Sequence, residues 1–415
     1  MFNGNNKHYS KPVTLIIATL LCFAQLFTQI GTLQAATSDD GSHREQARRI
    51  HDRLAGVPPT ETVLNQMATD ISNGDIAAAA NRAMNNRNFY NVTLKNFITP
   101  WTNEAQTVFA ELNDYTATVI GVIRDELDYR SILFDDILYT GAASGLTAYS
   151  VSNNAHYREM EIRGLDLSDP NVLKKTTQSA VTGLPAEATA GIVTTRAAAR
   201  AFFIDGTNRA MFRFTLLNHL CVDMEQIKDN TRATDRIRQD ASRSPGGDSR
   251  IYINACSGCH AGMDPMMQAY AYYDFEYTGS PDVGDQLVGQ LVYNVGNDPE
   301  TGSRVQPKFL INATVFPDGY VTPDDRWDNY WREGPNSVLG WDPALPGSGA
   351  GAKSMGQELA YSEAFASCQA KKVFRTVCLR EPDGTQISNL TSNFKNSGYN
   401  LKTVFADAVS YCMGK

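Results

Sequence analysis

Residues 255–265 read "ACSGCHAGMDP". On a helix, Cys256 and Cys259 share nearly one face and His260 lies one step round from it. That is the layout a c-type haem requires, with two thiols to add to the porphyrin vinyl groups and an adjacent imidazole to reach the iron. The spacing therefore predicts one covalent haem c on Cys256 and Cys259, with His260 as the proximal iron ligand. Zinc would want a second CxxC or HxxxH pair to complete four ligands, and the sequence has none. A thioredoxin-like CxxC would follow a strand in a βαβ pattern, which this region lacks. A surface disulfide between Cys256 and Cys259 is the plain structural alternative.

The opposite iron position separates electron transfer from catalysis, because a methionine there favours a redox carrier and an open position permits small-molecule chemistry. Met263 follows His260 by one turn and so belongs to the proximal side. Met355, in "GAKSMGQEL", is far enough along the chain to fold back over the haem and is the candidate distal ligand; His156 and His219 are alternatives. A buried methionine is commonly a core filler, and lone histidines are commonly structural. No nucleophile elbow, P-loop or dinucleotide fingerprint is present. Acid pairs such as Asp135–Asp136 and Asp324–Asp325 suit solvated surface or caps. "PDDRWDNYWREGPNSVLGWD" concentrates tryptophans and reads as a long loop anchored by aromatics, with a binding loop as the alternative.

The elements that must position this motif read as mainly α: a multi-helix unit over 43–240, a haem-bearing region with short strands over 241–345, and a helical segment over 346–415. Polar starters and Gly, Asn or Pro stops mark helices in "HREQARRIHDRLAGVPP", "TETVLNQMATDISNG" and "DIAAAANRAMNN". Residues 104–138 carry helical periodicity, and "YTGAASGLTAYSVSNNAHY" reads as a long loop. Helices resume at "AEATAGIVTTRAAARAFF" and "NRAMFRFTLLNHLC". "SRSPGGDS" then breaks the chain, and Asp248 or Ser249 caps the motif's helix. After the motif, Asp264 reads as a helix cap with Pro265 at the first helical position. Met266, Met267, Tyr270, Tyr273 and Tyr277 follow at helical intervals. "QLVGQLVYNV" and "KFLINATVF" suggest a small β hairpin, "SGAGAKS" a flexible joint, and "SEAFASCQAKKVFRTVCLREP" a single helix.

The chain begins with a basic stretch, an apolar run over 13–27 and small residues to Ala35 and Ala36, the order of a secretory signal peptide over 1–36. That run is short for a spanning helix, and no other stretch is apolar enough to be one. Loss of Lys7 and Lys11 with it takes the formal charge from −8 to about −10, an acidic balance that argues against a nucleic-acid partner. With the haem motif set aside, Cys221, Cys368, Cys378 and Cys412 remain, an even number suited to an oxidising compartment. Cys368 and Cys378 are about 15 Å apart along one helix, too far to bond each other. Each would then pair with Cys221 or Cys412; Cys378 with Cys412 is the preferred arrangement, and buried free thiols are the alternative.

"GIVTTRAAARAFF", "NRAMFRFTLLNHLCVDM" and "CSGCHAGMDPMMQAYAYYDFEYTG" together resemble the planctomycete cytochrome-associated family of exported proteins with a CxxCH haem motif. That family has a threonine-rich segment before an arginine-containing helix, then "LLC", CxxCH, "MDP" and an aromatic-acid stretch. Upstream, "RIHDRLAGVPPT" and "NDYTATVIGVIRDELDYRSIL" are also similar, so the likeness covers most of 43–280. Two departures stand out: Met266, Met267 and tyrosines replace a glycine and phenylalanine-rich run after "MDP", and "VDMEQIKDN" replaces a proline-rich stretch after "LLC". The resemblance implies an exported c-type cytochrome without supplying a reaction or substrate.

The expectation is therefore an exported monohaem c-type cytochrome of the periplasm or cell exterior that passes single electrons to a redox partner protein, with no membrane span after signal cleavage. Two alternatives differ in class: a haem enzyme with an open distal site, peroxidase-like or substrate-oxidising, and a surface binding protein whose haem is structural.

Overall fold

Short polar caps punctuate the chain into helices. The side chains of Thr60, Asp75 and Asn113 accept from the backbone N–H groups of Val63, Ala78 and Thr116, satisfying donors that a helix start leaves open. A computed structural model describes residues 39–204, 206–277 and 288–413 of the chain, so the expected signal peptide lies outside the described residues. Helix accounts for 54% of the structure and strand for 7%, which bears out the mainly α reading with small β hairpins.

Helices α1 (Asp39–Ala55), α2 (Glu61–Ser72) and α3 (Ile76–Met84) pack on one another. Next come α4 (Asp114–Arg124), β1 (Leu138–Gly141), α5 (Ala155–Ile162) and β2 (Leu173–Thr176), with β1 and β2 antiparallel. Only α4 and a 3-10 turn at Tyr129–Leu133 are helical in the stretch 104–138. Before α4 the side chain of Asn103 bonds both the N–H and the carbonyl of Thr107, a local turn that competes with helix.

Helices α6 (Arg196–Phe202) and α7 (Arg209–His219) lead to α8 (Ser257–Met267), which carries the motif. The chain then runs into β3 (Tyr273–Tyr277), whose antiparallel partner is β4 (Gly289–Tyr293). Tyr273 and Tyr277 thus lie on a strand, and the expected second strand over "KFLINATVF" is instead a 3-10 turn at Pro307–Leu310. Strands β5 (Arg326–Asp328) and β6 (Ser348–Ala350) form a third pair, and α9 (Gly351–Ala360) starts directly after β6. "SGAGAKS" is therefore a strand-to-helix junction.

The chain ends in α10 (Glu363–Cys378), α11 (Gly384–Asn396) and α12 (Leu401–Cys412). Helix α12 packs against both α10 and α3, bringing the end of the chain onto its first helices. One hydrophobic core runs from Ala47 to Met413. The tryptophans of the 323–342 loop act as its anchors: Trp327 and Trp331 are buried, Trp327 Nε1 donates to Ser354 Oγ at 2.8 Å, and Trp341 Nε1 donates to the Trp331 carbonyl at 2.9 Å.

Candidate haem attachment site

The motif is built at the junction of three helical turns. Asp248 caps the first, accepting from the Arg250 N–H at 2.9 Å, as its position after the Gly246–Gly247 break suggests. A π turn over Tyr252–Cys256 follows and passes into α8; such wide turns recur at functional sites. Two glycines set how α8 sits. A Cβ on Gly262 would lie 2.0 Å from Trp331 Nε1, and one on Gly258 would lie 2.3 Å from Asn230 Oδ1. Their side of the helix is therefore pressed against Trp331 and the 228–230 segment, whose Asp229 N–H donates to the Gly258 carbonyl at 3.0 Å. Helical geometry turns Cys256 and His260 to the other side.

Cys256 and Cys259 are both half-buried free thiols. The other four described cysteines form two disulfides, Cys221–Cys368 and Cys378–Cys412, the second being the pairing preferred from sequence. Burial, with Glu225 nearby, pushes the Cys259 thiol up from its ordinary value, the opposite of what a nucleophilic redox thiol needs. Around the motif, Ile251 and Ile253 stay 46% and 56% exposed. Arg243 lies over the rings of both Tyr252 and Phe316, at 4.8 and 4.3 Å, tying the 310–320 loop to the π turn.

His260 is fixed from behind. Its Nδ1 lies 3.1 Å from each carboxylate oxygen of Asp264, one turn on. Asp264 is 0% exposed and is no helix cap: α8 continues through it and through Pro265 to Met267. Its oxygens also accept from Arg209 Nε at 2.9 Å, Arg209 Nη2 at 3.0 Å and the Arg238 backbone N–H at 3.1 Å. Burial alone would raise this carboxyl, but Arg209 and His260 outweigh it and hold Asp264 well below the usual carboxylate range. Arg209 is shared with Asp240, at 2.5 and 2.9 Å. Asn208, in left-handed backbone conformation, places Arg209 at the start of α7 by donating to the carbonyls of Tyr270 and Tyr273, each at 2.9 Å.

With Nδ1 engaged, His260 Nε2 has no hydrogen-bond partner among the described residues, and the side chain is 21% exposed. Among the described residues no group of three or more His, Cys, Asp or Glu side chains converges as a metal site, so the motif does not present a zinc-type donor set. A porphyrin brings its own four nitrogens and needs one imidazole and two accessible thiols, and these residues fit that demand.

The distal candidates lie elsewhere. Met355 is fully buried in the main core, on a helix packed against residues 129–133 and 268–270. His156 has both nitrogens occupied, Nδ1 donating to the Thr147 carbonyl at 2.6 Å and Nε2 accepting from the Gly141 N–H at 2.8 Å. His219 is buried with Nε2 2.9 Å from the Tyr115 hydroxyl. A cleft of about 350 Å³ between residues 102–113 and α6 shares no residue with the motif.

The structure places the three sequence candidates, Cys256, Cys259 and His260, together at the start of α8, and it adds Asp264, Arg209 and Asp240 behind His260, in roles the sequence reading did not foresee. The i, i+4 spacing of His260 and Asp264 was the available signal; nothing local marks Arg209 or Asp240. A scan against protein-family models finds none that matches the chain, and searches of curated proteins and of solved structures find no match either.

Proposed function

We propose that this chain is an exported monohaem c-type cytochrome that transfers single electrons to a redox partner protein. Each of Cys256 and Cys259 would add across a vinyl C=C, forming a thioether S–C bond while the thiol hydrogen passes to the neighbouring carbon. His260 Nε2 would ligate the iron, which supplies the one-electron couple. The observation that carries this reading is the selective state of the motif: its two thiols are left unbridged while the other four described cysteines pair, beside an imidazole whose outer nitrogen is free. The disulfides fit an oxidising compartment, the described helices include none long and apolar enough to cross a membrane, and the resemblance of 43–280 to the planctomycete cytochrome-associated family belongs to the same proposal. Periplasm or cell exterior is the location it implies.

Expression with c-type maturation machinery tests it. Haem that survives denaturation in wild type and is lost in Cys256→Ser/Cys259→Ser is the expected result, and wild type without covalent haem would overturn the proposal. A second reading, a haem enzyme with an open distal position, is favoured by the enclosure of Met355, His156 and His219. Carbon monoxide binding to the reduced protein distinguishes it from the six-coordinate carrier, for which the enclosed Met355 would have to leave its core position to ligate the iron.

A further inference from the structure

We infer that Asp264 is the positioning residue of the proximal ligand, holding His260 with Nε2 outward and giving its imidazole anionic character that favours the ferric state. The inference rests on the haem reading above. Its basis is the kind of acceptor on Nδ1. A backbone carbonyl would orient the ring with a neutral dipole, whereas His260 faces both oxygens of a carboxylate with no exposed surface. In that enclosed setting the charge is poorly screened by water. A carboxylate on the remote nitrogen raises the basicity of the ligating one, and a more basic ligand stabilises the higher iron charge, since hydrogen bonding behind the axial ligand is one of the protein's levers on potential.

The surrounding groups keep Asp264 ionised and in place. Arg209 reaches Asp264 through Nε and Nη2 and Asp240 through Nη1 and Nη2, so its single charge is divided between two carboxylates. Arg238 gives Asp264 only its backbone N–H, and its guanidinium is 3.7 Å from Asp240. Asp264 is thereby locked in place as an ionised acceptor within a cluster of two carboxylates and two guanidinium groups.

The experiment is a spectroelectrochemical titration of the full-chain holoprotein as wild type, Asp264→Asn and Asp264→Glu, each with its covalent haem quantified. Asp264→Asn is expected to bind covalent haem and shift the midpoint to more positive potential, and Asp264→Glu to shift it less. An unchanged midpoint in Asp264→Asn would overturn the inference. Should that variant fail to accumulate, the ¹⁵N resonance of His260 Nδ1 in the reduced wild-type protein decides: displacement towards the imidazolate position supports Asp264 as acceptor, and the position of a carbonyl-bonded imidazole overturns it. Wild type lacking covalent haem would overturn the haem reading itself and the inference with it.

Discussion

At the scale of single residues, glycines and one buried histidine carry consequences as sharp as those of the motif. Trp331 is fully buried where a Cβ on Gly262 would fall, so neither partner has room to yield. Gly262→Ala is expected to lower stability by about 1–3 kcal/mol in urea unfolding and, on the proposed haem reading, to reduce covalent haem yield by tilting α8. Gly296→Ala, with nothing near its Cβ position, should stay within about 0.5 kcal/mol. His219 yields a pH prediction. Burial, with the Lys372 cation nearby, holds its pKa well below 6.5, so the unfolded chain binds a proton that the folded one refuses. Stability from this group is complete above about pH 6.5 and is lost as pH falls below it, by up to about 1.4 kcal/mol per pH unit. Urea midpoints between pH 7.5 and 5 should fall less steeply in His219→Gln; equal slopes would refute this account. Cys256, Cys259 and His260 could be picked out as candidates because the proposed haem chemistry is local in sequence. Asp264 was misread because Asp-Pro is also a helix-start signature, and only the packed structure shows a buried carboxylate inside a continuing helix.

At the scale of elements, helices with their own caps were legible and elements defined by partners were not. The helix start at Asp75 and the single helix over Glu363–Cys378 follow from local signals. Tyr273 and Tyr277 are four apart, a spacing that lies on one face of a helix and equally on one face of a strand; pairing with β4 decides for the strand. Because one helix keeps Cys368 and Cys378 apart, exclusion left Cys378 to pair with Cys221 or Cys412, and the preferred one of the two, Cys378–Cys412, is the disulfide the structure forms. It ties α12 to the end of α10 across 34 residues of sequence, a closure worth about 3–4 kcal/mol in the chain-entropy account. In Cys378→Ser/Cys412→Ser, amide exchange should accelerate first in α12, where the chain ends. Unchanged protection there would show that packing against α3 and α10 alone secures the tail.

At the scale of the whole molecule, the first and last helices share one core, and the Cys221–Cys368 disulfide joins two distant parts of the chain. Cys221 sits just past α7 in left-handed backbone conformation and bonds Cys368 in α10, 147 residues away. No local pattern specifies that pairing, because it depends on α7 and α10 meeting in the folded chain. The same helix that ends near Cys221 begins at Arg209, which grips Asp264 behind His260. The tether and the support of His260, the proposed ligand, are thus opposite ends of one element, and they are separable. Arg209 is fixed locally by Asn208, Asp240 and Asp264, whereas the disulfide restricts mainly the unfolded chain. Cys221→Ser/Cys368→Ser is therefore expected to lose up to about 5 kcal/mol, more than the loss from the Cys378–Cys412 pair, while the spectrum and midpoint potential of the proposed haem stay at the wild-type values. Urea unfolding of the holoprotein followed by spectroelectrochemistry checks both halves. A shifted potential in the folded variant would mean that α7 transmits the disulfide's constraint to the ligand, and that Arg209 is held by the whole core.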